Sequence, residues 1–406
     1  MTLWPRTQLR RVFRVVNGGT PTADAENWDG PVAWATPIDL AKVNGGRLTR
    51  TARTLSTTGL MTGSRAVPAG SLIVSTRAPI GYVAEATVPM AFNQGCRGLM
   101  PWAEIDSRYF RYQLLALASR LNAAGQGSTF VELSGDALAS VEVVVPPIHE
   151  QHAIADFLDT ETARIDALIT KKRRLVKLLE SRLRSAASEI VEGGGGPLIT
   201  GIPSIPRVPS TWRVLRNKVF MREVNEPSPD GLGEMLSVSH LTGVTPRSEK
   251  TVYMFEAEST VGYKVVRPGD LVINTMWAWM GAAGVSRHEG IVSPAYGVYR
   301  LDGMVVDPDY YDLLIRTPAY ITEMTRFSRG VTSSRLRLYP DEFLRLSSPL
   351  PPLDAQGELA EGFKAATARS RELAARVDHQ INLLVEHRRA LITAAVAGEL
   401  PVGEAA

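Results

Sequence analysis

The chain is written twice, and that repeat limits what it can fold into more than any single motif does. "PAGSLIVSTRAPIGYVAEA" at Pro68–Ala86 answers to "RPGDLVINTMWAWMGAAGVS" at Arg267–Ser286, each with a glycine turn, a short apolar run, a polar loop and a second run. "FNQGCRGLMP" from Phe92 aligns with "VSPAYGVYRL" from Val292. The stretch from Tyr109 through "GQGSTFVELSGDAL" follows the same course as that from Tyr310 through "SRGVTSSRLRLYPDEF". Finally "VPPIHEQ" from Val145 matches "LPPLDAQ" from Leu350. The correspondences keep one order, and the displacement drifts only from 199 residues (68 to 267) to 205 (145 to 350). This is an internal duplication.

Each half reads as a mixed domain followed by a long helix. β-branched runs such as Leu72–Ser75, Val141–Val145 and Leu271–Asn274 lie between Gly and Pro turns, with one amphipathic helix near Tyr109–Asn122 or Tyr310–Phe327. Strands and helices mingle without βαβ alternation, so the expected class is α+β. The expected divisions are a first domain at 1–146, a central helix at 147–192, a second domain at 193–350 and a C-terminal helix at 351–406. The glycine- and proline-rich stretch Val191–Ser210 marks the middle boundary.

The two helices carry one apolar stripe each, near the 3.5-residue period of a coiled-coil seam. The first stripe is Ile154, Leu158, Ile165, Leu168, Leu175, Leu179, Leu183 and Ala186, interrupted by Glu161, Lys172 and Arg182 and widened by Ile169, Val176 and Ile190. The second is Leu359, Phe363, Leu373, Val377, Leu384 and Leu391, interrupted by Ser370, Gln380 and His387. Each helix is about 65 Å long at 1.5 Å per residue, and two such stripes are expected to pack on each other antiparallel.

At 406 residues and net charge +3, the chain is long enough for two cores and carries no charge excess that by itself announces nucleic acid. Abundant arginine suits bidentate contacts to phosphate or guanine, and equally suits a GC-rich genome. A single cysteine, Cys96, excludes an intramolecular disulfide and is expected to be a small buried hydrophobe in a reducing cytoplasm. No membrane-spanning run and no signal peptide is read. There is no P-loop, no dinucleotide turn and no Asn-Pro-Pro-aromatic tetrapeptide of amino-methyltransferases. "HEQH" at His149–His152 has its histidines three apart rather than four, and is expected to be helix surface rather than a metal site.

With the duplication in place, the residues resemble the DNA specificity subunits of type I restriction–modification enzymes. The resemblance is carried by Asn17–Leu40, Pro68–Ala84, Phe92–Pro101, Gly127–Ile169, Pro209–Glu226 and His387–Leu400. Its most specific piece is the strand–Pro-Pro–Glu-Gln–helix junction followed by "TARIDALI". It implies two target-recognition domains, joined by two long antiparallel coiled-coil helices and each reading one half of a bipartite, asymmetric duplex DNA site. It implies no cofactor in this chain. S-adenosylmethionine would belong to two modification subunits that methylate adenine, and ATP and magnesium to translocating restriction subunits. The second junction, "DAQGELAEGF", departs from the pattern by lacking the Glu before Gln356 and by placing Gly357 and Gly362 in the helix start.

Polar loops between strands are the natural places to meet bases and phosphates. In the first domain these are Thr20, Arg77, Asn93, Gln94, Arg97, Gln126, Ser128 and Thr129. In the second they are Trp277, Trp279, Arg329, Thr332, Ser333, Ser334, Arg335 and Arg337. Arg77 and Arg97 have the donors to bind a guanine edge, and Asn93 or Gln94 an adenine edge. Trp277 and Trp279 either stack or fill the core, with the core favoured, and Lys171–Arg174 reads as a solvated helix face. The competing functions are a stand-alone methyltransferase or nuclease of unrecognised motif, and a coiled-coil scaffold with no nucleic-acid role.

Overall fold

The structure is a computed structural model that describes residues 4–77, 79–125, 131–249, 259–332, 335–400 and 402. It divides into two compact units. One comprises residues 1–173 with 378–406, the other residues 174–377. Each unit therefore holds one globular domain and a segment of both long helices, Ile148–Glu192 and Leu353–Val396. The class is α+β.

In the first unit a five-stranded sheet runs in the order Phe13–Asn17, Cys96–Pro101, Leu72–Ser75, Val83–Ala86, Arg47–Leu48. A four-stranded sheet runs Arg53–Leu55, Trp28–Ala35, Met90–Phe92, Ala66–Val67. Strand alternation assigns the faces. Ile73 points into the layer shared with Phe92, Met90 and Leu40, whereas Leu72 and Val74 point to the side of the Ser107–Ala116 helix and the long helices. The second unit repeats the device with Leu271 and Ile273 on the helix side and Val272 on the other. Its central sheet is Met221–Glu223, Gly297–Leu301, Leu271–Ile273, Ala283–Val285.

The two long helices pair antiparallel inside each unit. In the first, Ile154, Ala155 and Leu158 share a core with Ile392, Ala395 and Val396. Asp166 meets Arg388 at 3.1 Å, and Lys172 donates to Gln380 at 2.6 Å. Lys172 and Gln380 interrupt the stripes when each helix is read alone; facing each other, they are a cross-helix pair. In the second unit Ala187 and Val191 share a core with Ala360, and Phe363 packs against it.

The seam does not follow the 3.5 period throughout. Leu168 (47% exposed), Leu175 (41%) and Leu373 (44%) lie outside it, correcting their assignment as pairing residues. A straight helix has 3.6 residues per turn, so a strict heptad stripe drifts off the buried face. The buried positions include Ile165 and Val377 of the expected stripes and Ile169 beside them, and run on through Ala187 and Val191 on one helix and Ala360, Ile381 and Ile392 on the other. Leu179, Leu384 and Leu391 are half-buried. Among the described residues no helix is long and apolar enough to cross a membrane.

Candidate nucleic-acid interface

Strand register gathers the first domain's candidates. Cys96 pairs with Ser75 and Arg97 with Asn17, so Arg77, the Asn93–Gln94 turn and the Asn17–Thr20 segment meet at one end of the five-stranded sheet. The "NGG" of the segment is required by close approach. A Cβ on Gly18 would lie 2.0 Å from the Asn93 carbonyl oxygen, and one on Gly19 would lie 2.3 Å from that of Gly63. The Trp34 indole donates to the Gly19 carbonyl at 3.0 Å, and the Thr20 hydroxyl bonds to the side chain of Gln94.

Glu132, which the sequence reading did not single out, organises this end. Its carboxylate takes Arg77 Nε at 3.0 Å and Arg97 Nη2 at 3.2 Å. Arg97 also donates through Nη1 to the carbonyls of Gln94 (2.9 Å) and Cys96 (3.1 Å), and its side chain is only 13% exposed. Both its terminal nitrogens are thus engaged within the protein, with Nε buried and without a partner among the described residues, while Arg77, 47% exposed, faces solvent. The Asn93 side-chain oxygen accepts from Gly95 N at 3.1 Å and builds the turn. Gln94 is exposed. Gln126, Ser128 and Thr129 lie outside the described residues. Cys96 is fully buried, and burial pushes its thiol up to about 12.

The second domain builds the same sheet end with other side chains. Leu338 N donates to Thr275 O at 2.9 Å, as Leu133 N donates to Thr76 O at 2.8 Å. Beyond Thr275, Trp277 is exposed and Trp279 half-buried, and the two stack with centroids 6.3 Å apart and planes at 16°. This corrects the core reading of the tryptophans. Nearby, Arg329 and Arg337 form an antiparallel bridge, with the Arg337 guanidinium 5.6 Å from the Tyr339 ring centroid. Arg329 is tied to Glu342, and Thr332 and Arg335 are exposed, with Arg335 N donating to Thr332 O at 2.9 Å. Ser333 and Ser334 lie outside the described residues. Lys171, Arg173 and Arg174 are exposed on the central helix.

The repeated Pro-Pro junction has a shared cause. Gln151 is buried where the central helix begins. It accepts from Asp106 N at 2.9 Å and donates to the Pro146 carbonyl at 2.8 Å. Gln356 does both for Asp307 N (2.8 Å) and the Pro351 carbonyl (2.9 Å). One glutamine thereby fastens each domain's own helix to the long helix after it, satisfying backbone groups that water cannot reach. Of the "HEQH" stretch, His149 is exposed, and His152 Nδ1 lies 2.8 Å from Asp106. Among the described residues no group of three or more His, Cys, Asp or Glu side chains is placed to hold a metal ion.

Residues 1–178 match the family model described as "Type I restriction modification DNA specificity domain". The chain resembles the specificity subunits of type I restriction–modification enzymes. It is 34% identical over 181 residues to the type I restriction enzyme MjaIX specificity subunit of Methanocaldococcus jannaschii, a match covering 44% of this chain and 41% of that protein. The chain thus matches less than half the length of this relative. Two solved structures share the fold over almost the whole chain. The first, reported for complex assembly and conformational transition of the type I R-M system, has a TM-score of 0.74 at 15% identity, covering 98% of each chain. The second, the HsdS subunit from Thermoanaerobacter tengcongensis, has a TM-score of 0.55 at 15% identity, covering 98% of this chain and 97% of that one.

Proposed function

We propose that the chain is the non-catalytic specificity subunit of a cytoplasmic type I restriction–modification complex. Each domain reads one half of a bipartite duplex site, and the paired helices set the spacing between the halves. The observation that supports this most is the repeated sheet end. Two domains built on one plan present different polar and aromatic side chains at the same place, as expected of two readers with different targets. Exposed leucines on the long helices, among them Leu168, Leu175 and Leu178, offer apolar contact to two modification subunits. Those partners would bind S-adenosylmethionine and methylate adenine. Restriction subunits would bring ATP, magnesium and cleavage.

Titrating the purified chain with S-adenosylmethionine and with duplex DNA at several salt concentrations tests this reading. No S-adenosylmethionine binding by the chain alone is expected, with weak DNA binding that falls steeply with salt as counterions are released. Adding modification subunits should bring tight, sequence-selective binding. Sequence-indifferent, salt-insensitive binding by the assembled complex would contradict it, and methyl transfer by the chain alone would favour the stand-alone enzyme.

A further inference from the structure

We propose that Glu132 sets a base preference of the first domain by holding Arg77 as a rigid two-pronged donor. The inference rests on the DNA-reading function above. A guanidinium is planar, so an acceptor on Nε fixes its plane and leaves the two terminal nitrogens for a ligand. Glu132 engages Arg77 in this way, through Nε at 3.0 Å. Its other carboxylate oxygen is fixed by Arg97, which two backbone carbonyls hold in turn. Order therefore passes from the nearly buried Arg97 through Glu132 to the exposed Arg77.

Discrimination of guanine requires two donors presented together to O6 and N7, whereas attraction to phosphate requires only a cation. Arg77 held by Glu132 suits the first task. Released from Glu132, it keeps its charge and loses its orientation, so total affinity and base preference should separate. The second domain does not repeat this trio at the matching positions. At the places matching Arg77, Arg97 and Glu132 it carries Met276, Gly297 and Arg337. The effect should therefore be confined to one half of the site.

The test is selection from randomised duplex DNA by the full chain assembled with its modification subunits, read position by position. Glu132→Gln should lower the preference at one base pair of the first half-site by about tenfold or more, and leave affinity for unrelated duplex within about twofold. Arg77→Lys and Arg77→Ala should relax the same base pair, and Glu132→Asp, which shortens the arm, should do so as well. The second half-site should be unchanged throughout. If Glu132→Gln and Glu132→Asp weaken all sequences equally or change nothing, the proposal is overturned and Glu132 is structural. If Arg77→Ala leaves the base pair that Glu132 affects untouched, it is overturned too, because Glu132 then acts without Arg77. In both cases selective binding by the parent complex leaves the two-reader function standing. Only a parent complex without sequence selectivity would remove that function along with the inference.

Discussion

At the first junction between a domain and its long helix, Arg111 is buried between Glu85 at 3.0 Å and Asp159 at 2.6 Å. At the second, the matching residue of the domain's helix is Asp312, and the long helix carries Lys364 where the first carries Asp159. The neighbours diverge with them. Arg108 reaches Asp106 (2.7 Å), Asp156 (2.6 Å) and Asp159 (3.2 Å), and the Tyr112 hydroxyl bonds Asp159 at 2.6 Å and Thr162 at 3.1 Å. In the second unit Asp309 turns to Arg287 at 2.6 Å, Asp312 accepts from Val285 N at 2.8 Å, and Lys364 pairs with Glu361 on its own helix at 3.0 Å. Leu313 stands in place of Tyr112, and the buried Thr367 hydroxyl has no partner among the described residues. A cleft of about 450 Å³ opens there, lined by Leu313, Phe363, Thr367 and the cations Arg184 and Arg371.

Duplication thus preserved the backbone fastening by Gln151 and Gln356 and left the charges free to change. The first junction is an ionic interlock between the domain and its long helix; in the second, Lys364 pairs within its own helix and Asp309 within its domain. The largest expected effect tests that difference. Arg111→Met leaves the largely buried Glu85 with only Arg47 at 3.6 Å, while Asp159 keeps Arg108 and Tyr112, and should cost about 3 kcal/mol, the low end for removing one member of a buried pair. Lys364→Met should stay within about 0.5 kcal/mol, as for exposed pairs. Urea denaturation monitored by probes in each unit measures both; equal costs would erase the distinction.

Acid should act on the two junctions with opposite sign. Burial raises the Asp106 carboxyl, but hydrogen bonds from Arg108 and His152 outweigh it and hold the group below its ordinary value. Its contribution is therefore full above the ordinary carboxylate pKa and is lost as pH falls through the lowered folded value. Burial pushes Asp312 up, with Arg316 offsetting only part of the rise. That group favours folding at low pH and loses this contribution as pH rises from the ordinary to the raised value. Asp106→Asn should cost about 1–3 kcal/mol at pH 7 and flatten the acid limb of stability. Asp312→Asn, which keeps an acceptor for Val285 N, should be neutral or stabilising at pH 7. Matching pH profiles for the two variants would contradict the assignment.

The smallest effect concerns Gly362, inside the C-terminal helix with open space where a Cβ would stand. Gly362→Ala should stabilise the second unit by about 0.5–1 kcal/mol, and hydrogen exchange along that helix would show it.

Reading the sequence reached the duplication, the α+β domains and the antiparallel pairing, because apolar periodicity and repeated turns are local signals. It misplaced Leu168, Leu175 and Leu373, since a heptad template carried over many turns outruns a 3.6-residue helix. It took Lys172 and Gln380 for flaws because each is polar on its own helix and becomes a pair only when the helices meet. Glu132 escaped notice for the same reason: its meaning lies in two arginines 55 and 35 residues away. The stretch "TFVELS" against "SRLRLY", an acid facing Arg337's position, was the one available sign.

The central claim, two readers on a ruler, is tested most directly by lengthening the ruler. Four residues inserted at matched points in both long helices add slightly more than one turn, so the helix faces beyond the insertions nearly keep their orientation. The measurement is the methylated motif, mapped genome-wide in cells carrying the variant and the proposed modification subunits. The account predicts both half-sites unchanged in sequence with a longer spacer between them; altered bases with an unchanged spacer would contradict it.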